Sequence, residues 1–169
     1  MARRMMITIA VAAVAPLVAA GAVTAPKVSD QDRAFLVQAH QGNLAEIQAG
    51  HAAANATKQE VRAVAAMLVR DHTNLDSAVM QEADRAGVEL PGEPNPQQRS
   101  ALAQVTTKSG ESFDKAWVAS QITGHRQTLE AIEKQLREGT NADVKKVAYD
   151  ARPVVQQHLD VLLHTSSLR

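Results

Sequence analysis

The sequence predicts an all-α fold, a four-helix bundle with a short extra helix in its central connection. Three observations predict it. Apolar residues recur every three or four positions from about residue 30 to residue 165. Capping and helix-breaking residues divide that stretch into pieces of helix length. No alternating run of strand type competes, and four long helices with short turns and one longer connection match bundle arithmetic. The 169 residues therefore divide into a segment of different character, over 1–22, and one bundle domain over 30–165.

Each element has its own signals. Ser29 or Asp30 caps a first helix reaching about Asn55, with Phe35, Leu36, Ala39, Ile47 and Ala53 at helical spacing. Thr57 and Glu60 have capping-box spacing and start a second helix, striped by Val61, Ala65, Leu68, Leu75 and Val79 and ended by Gly87. Pro91, Gly92, Pro94 and Pro96 forbid a regular element in the next loop. Asn95 then caps, and Pro96 opens, a short helix to about Lys108.

A long helix over about 111–138 carries Phe113, Trp117, Ile122, Leu129, Ile132 and Leu136, and Gly139 stops it. Thr140 with Asp143 has capping spacing for a last helix to about Thr165, whose inner residues are Val144, Val147, Ala148, Val154, Val155, Val161 and Leu162. Pro153 lies inside it and should bend or divide it. Alanine replaces aromatics along the facing stripes, so Phe35, Phe113 and Trp117 carry a large share of the buried surface.

Residues 1–22 read as an export signal. Arg3 and Arg4 form a positive start, Met5 to Val18 an apolar stretch, and Ala19, Ala20, Gly21 and Ala22 a small-residue cleavage region, with cleavage after Ala22 favoured. The alternative is a retained anchor, which would place Thr8, Pro16 and Thr24 within the bilayer. Export predicts a periplasmic or otherwise extracytoplasmic protein. No later apolar run has bilayer length, so no membrane span is expected once the signal is removed.

Composition excludes several functions. There is no cysteine, hence no disulfide framework, thiolate metal site or cysteine nucleophile. Lys and Arg number 18 against 18 Asp and Glu, without a basic cluster, so a nucleic-acid partner is not expected. The sequence identifies no protein partner. No Ser-His-Asp order, phosphate loop or paired acid and base is visible, and the reading leans away from an enzyme.

The informative residues are polar groups on apolar stripes. His72 lies four after Leu68 and three before Leu75; His125 lies three after Ile122 and four before Leu129. His158 is framed by Val154, Val155, Val161 and Leu162, and Glu46 sits on a stripe of small residues in the first helix. Each long helix thus turns one polar group inward. Buried polar groups must find partners, which leaves two readings. In one, Glu46, His72, His125 and His158 ligate a single transition-metal ion: zinc, iron, copper or nickel. In the other they form a hydrogen-bonded core network that binds nothing. Asp71 reads as a surface residue or an orienting partner, and Asp114 as a charge serving a helix dipole. Glu130 and Glu133 read as solvated, paired with Lys134 and Arg137; His40, His51 and His164 read as surface histidines.

The stretch Asp32, Phe35, Ala39 and Glu46, then Val61 to Met67 and Val69-Arg70-Asp71-His72, resembles the bacterial "domain of unknown function 4142" family. So do Leu90-Pro91, Phe113-Asp114, His125, Pro153 and His158-Leu159, in order over roughly 30–164. The resemblance implies a ferritin-like bundle, exported to the periplasm or envelope, in a family whose members are often labelled outer-membrane proteins. It implies no activity. Ferritin-like di-iron sites use Glu-x-x-His pairs, but Val69, Ile122 and Val155 stand three before His72, His125 and His158. Ferroxidase and iron-storage functions are therefore disfavoured. Three classes remain: a metal-binding bundle, an envelope structural or stress-associated protein, and a pH-responsive fold.

Overall fold

The computed structural model describes residues 28–167, and the expected export segment over 1–22 lies outside them. Five helices follow in order: α1 (Asp30–Ala52), α2 (Gln59–Ala86), α3 (Pro96–Thr106), α4 (Gly110–Glu138) and α5 (Ala142–Ser167). α1 pairs most extensively with α2, and α4 with α5; α2 packs on α5 and α1 on α4. Two helical hairpins therefore close an up-down ring, joined by the crossover that carries α3 across the α1–α4 seam. No described helix is long and apolar enough to cross a membrane.

The helix ends follow local chemistry, with two corrections. Ser29 and Asn95 cap α1 and α3 in full capping boxes with Asp32 and Gln98, and Gly87 ends α2 with φ +62°. The expected Thr57–Glu60 box does not form. The Asp114 carboxylate of α4 instead accepts from the Thr57 amide at 3.1 Å and the Lys58 amide at 2.8 Å. A charge supplied across the bundle meets the positive end of α2, and it also ties α4 to the α1–α2 turn. At α5 the cap is Asn141 rather than Thr140 with Asp143: its Oδ1 accepts from the amides of Asp143 and Val144. Pro153 does not divide α5, which is one helix through that position.

The first N-cap partner has a further task. Asp32 is fully buried and accepts from the Ser29 hydroxyl, the Gln135 amide, the Thr140 amide and hydroxyl and the Asn141 amide. It pins the start of α1 to the α4–α5 turn. Burial alone would raise its pKa, but these donors outweigh burial and hold the carboxyl down to about 2. Gly139 opens that turn for steric reasons, since a Cβ there would lie 2.6 Å from the Gln135 carbonyl oxygen.

Packing divides the core into two apolar clusters. One gathers Val61, Val64, Leu68, Phe113, Trp117, Val118 and Leu162; the other gathers Phe35, Leu36, Val79, Ala83, Ile132, Val144, Ala148 and Val155. Trp117 is fully buried, and its Nε1–H donates to the Ala49 carbonyl at 2.8 Å. Truncating such a side chain to alanine typically costs about 3–5 kcal/mol. Between the two clusters every long helix contributes polar residues: His40 and Asn43 from α1, His72 and Asp76 from α2, Gln121 and His125 from α4, and His158 from α5. The bundle is therefore two apolar plugs separated by a buried polar storey.

Candidate metal centre

The polar storey is centred on three imidazoles. His72, His125 and His158 are 2%, 1% and 1% exposed, with ring centroids 5.3–5.5 Å apart. One nitrogen from each falls within 4.8 Å of the other two. The stripes of α2, α4 and α5 thus carry their histidines to a common depth, which spacing within each helix could not establish.

The outward nitrogens decide the chemistry. His125 Nδ1 lies 2.9 Å from the Gln121 carbonyl oxygen, which only accepts, so Nδ1 carries the proton. His72 Nδ1 lies 2.9 Å from Asn43 Oδ1 and donates to it. His158 Nε2 lies 3.1 Å from Asp71 Oδ2 and donates to that carboxylate. Arg70 donates to the same carboxylate through Nε and Nη2 and, with His158, keeps Asp71 ionised below its usual range. In three neutral rings the remaining nitrogens, His72 Nε2, His125 Nε2 and His158 Nδ1, are then bare lone pairs. His125 Nε2 and His158 Nδ1 face one another at 3.4 Å with no proton to share, and His72 Nε2 has no hydrogen-bond partner among the described residues.

Neutrality follows from burial. Desolvation holds His72 well below its usual pKa, and the proximity of two further imidazoles, which would repel it once protonated, lowers it further. Burial pushes His125 down to about 4 and lowers His158, against the pull of Asp71. The result is three convergent acceptors, each ring oriented from behind by an oxygen acceptor. Outer oxygen partners of this kind fix the tautomer of metal-binding histidines.

The structure brings together three of the four expected groups. Glu46 lies behind the His125 ring instead: its Oε1 is 3.8 Å from Nδ1, the nitrogen already bonded to Gln121. With its NH2 turned toward α1, the Gln121 amide donates to Glu46 Oε2 and, at 3.2 Å, to Oε1. Burial raises the Glu46 carboxyl to about 8. It is a neighbour of the histidine cluster rather than a member.

Other expectations change as well. His40 is not a surface residue; it is 7% exposed and pairs at 2.7 Å with buried Asp76, one turn beyond the Asn43–His72 pair. His51 and His164 are exposed. Asp71 takes the orienting role rather than the surface one. Glu133 pairs with Arg152, and Lys134 with Glu138, instead of the expected partners. Asn43, Gln121 and Asp76 escaped the sequence reading, although Asn43 and His40 lie seven and four after Leu36 on its own face.

The buried histidines, the crossover helix and the Asp71 partner combine over a stretch that a family model also matches. Residues 17–164 fit the "Domain of unknown function (DUF4142)" model. The chain belongs to the DUF4142 family. A crystal structure of a DUF305 fragment from Deinococcus radiodurans shares the fold, with a TM-score of 0.74 at 14% identity. The match covers 84% of this chain and 99% of that one. No curated protein matches the chain. For this DUF4142 protein the all-α helical-bundle architecture therefore stands on both sequence and structure.

Proposed function

We propose that this DUF4142 protein binds one divalent transition-metal ion through His72 Nε2, His125 Nε2 and His158 Nδ1. The observation that carries the reading is that one nitrogen of each buried ring lies within 4.8 Å of the other two while the opposite nitrogen of each is engaged by an oxygen. A closed hydrogen-bonded network needs a donor for each acceptor, and the buried His72 Nε2 lacks one. A cation supplies what the three nitrogens lack. Imidazole donors suit zinc, copper, nickel and iron, and the absence of a bridging carboxylate argues for one ion rather than a di-iron pair.

Asn43, Gln121 and Asp71 hold the rings in the ligating tautomer, while Glu46 and Gln121 buttress His125 from behind. We place this binding outside the cytoplasm, a reading supported by the signal-like pattern of residues 1–22. The test is the metal content of untagged protein and of the His72→Ala, His125→Ala and His158→Ala variants after equilibration with each ion. About one ion per wild-type chain, lost in each variant, supports the proposal; equal content in wild type and variants removes it.

A further inference from the structure

A cleft of about 990 Å³ takes in the α1–α4 seam, with residues of α2, α3 and α5 also in its lining. It exists because α1 and α4 meet far less extensively than the helices within each hairpin, and because small residues line it, among them Gly42, Ala45 and Gly124. α3 crosses this face, with Gln98 and Ala101 in the lining. Of the three imidazoles only His72 lines the cleft, and its Nε2 is the buried atom without a partner. Glu46, which lies against the far side of the His125 ring, lines it as well. The opening therefore borders His72, one of the three proposed ligands.

Charge decides what enters. Three neutral imidazoles leave a divalent ion with its full double charge in a buried storey, an expensive arrangement without a counter-charge. Among the described residues, the ionised carboxylate bonded to the cluster is Asp71, which is engaged behind His158 and shared with Arg70. Three protein ligands also leave a tetrahedral ion one position short, the pattern of exchangeable rather than closed sites. Resting on the metal reading above, the structure assigns the α1–α4 cleft as the path by which a small monoanion from solution reaches the ion and completes its coordination. The site is then an anion-accepting centre with an exchangeable fourth ligand, and its ligands are compact monoanions such as a small carboxylate.

Gly42 provides the test, because a Cβ built there meets nothing within 4 Å and projects into the cleft. The full chain is loaded with Co(II) and titrated with azide, then acetate, with the visible spectrum as readout. Saturable spectral change in wild type is expected. Gly42→Leu should still take up Co(II) but bind azide at least about tenfold more slowly in stopped-flow mixing, whereas Gly42→Ala, which leaves the passage open, should behave as wild type. Circular dichroism and Co(II) stoichiometry report whether each variant is folded. If Gly42→Leu fails to fold, Ala45→Leu on the same cleft wall replaces it. No spectral response to either anion in Co(II)-loaded wild type overturns the anion proposal alone, as does an unchanged azide association rate in a folded cleft-filling variant. No Co(II) uptake by wild type overturns the metal reading with it.

Discussion

Replacing His72 with leucine separates a metal ligand from a core element, because the two roles predict different apo stabilities. In the wild type the buried, unpartnered Nε2 carries a desolvation cost of about 1–3 kcal/mol. Leucine removes that atom and extends the apolar line from Leu68 to Leu75. The loss is the Nδ1–H bond to Asn43, worth about 1 kcal/mol, and Asn43 lines the cleft, where water can replace the donor. The opposing effects are of similar size, so apo His72→Leu should lie within about 1 kcal/mol of wild type, a melting shift of roughly 2–4 °C. A histidine serving a satisfied core network would lose several kcal/mol instead. The assay is urea unfolding of chelator-treated protein followed by Trp117 fluorescence, repeated with metal. At a hundredfold excess over the dissociation constant the wild type should gain about 2.7 kcal/mol and the variant nothing. An apo loss above about 3 kcal/mol, with no metal effect on wild type, would refute the reasoning.

Three further outcomes follow from the buried charges. The histidines have folded pKa values below their unfolded value of 6.5, so their contribution is complete above that pH and is lost as pH falls through the folded values. For His125, at about 4, the loss is about 3 kcal/mol between pH 6.5 and 4; acid unfolding with proton uptake in that window, measured by stopped-flow with pH indicators, checks it, and a flat stability profile there would contradict it. Glu46 is shifted upward, so stability falls as pH rises from its unfolded value of 4.5 through about 8; Glu46→Gln should be more stable than wild type at pH 8 by about 1 kcal/mol or more, and equal melting curves there would count against a protonated carboxyl. Asp32→Asn should lose about 2 kcal/mol at neutral pH and converge with wild type as pH falls from 4 toward 2, a difference that paired urea titrations at those pH values would detect.

The helices were legible because caps and breakers are local. Asn95-Pro96, Gly87 and Gly139 each mark an end through their own backbone chemistry. One error occurred where a cap comes from elsewhere in the fold: the N-terminus of α2 is served by Asp114, fifty-six residues from Lys58, and no spacing rule within α2 encodes that; the other was local, Asn141 capping α5 where Thr140 with Asp143 had the same spacing signal. His72, His125 and His158 stood out because apolar residues frame them on both sides. His40 and Asn43 did not, since the inner face of α1 is itself largely polar at mid-length and offers no frame. Glu46 lies against the His125 ring, but its side of that ring depends on the rotation of α1 against α4. That rotation is set by packing, not by periodicity.

The central claim concerns where three protons reside, and long-range 1H–15N NMR of the imidazoles reads this directly. The account predicts Nδ1–H tautomers for His72 and His125 and an Nε2–H tautomer for His158 in the metal-free protein at pH 7. On adding one equivalent of zinc, the resonances of His72 Nε2, His125 Nε2 and His158 Nδ1 should move together while the outward N–H groups remain. A protonated nitrogen facing the other two rings, or three spectra unchanged by zinc, would contradict it.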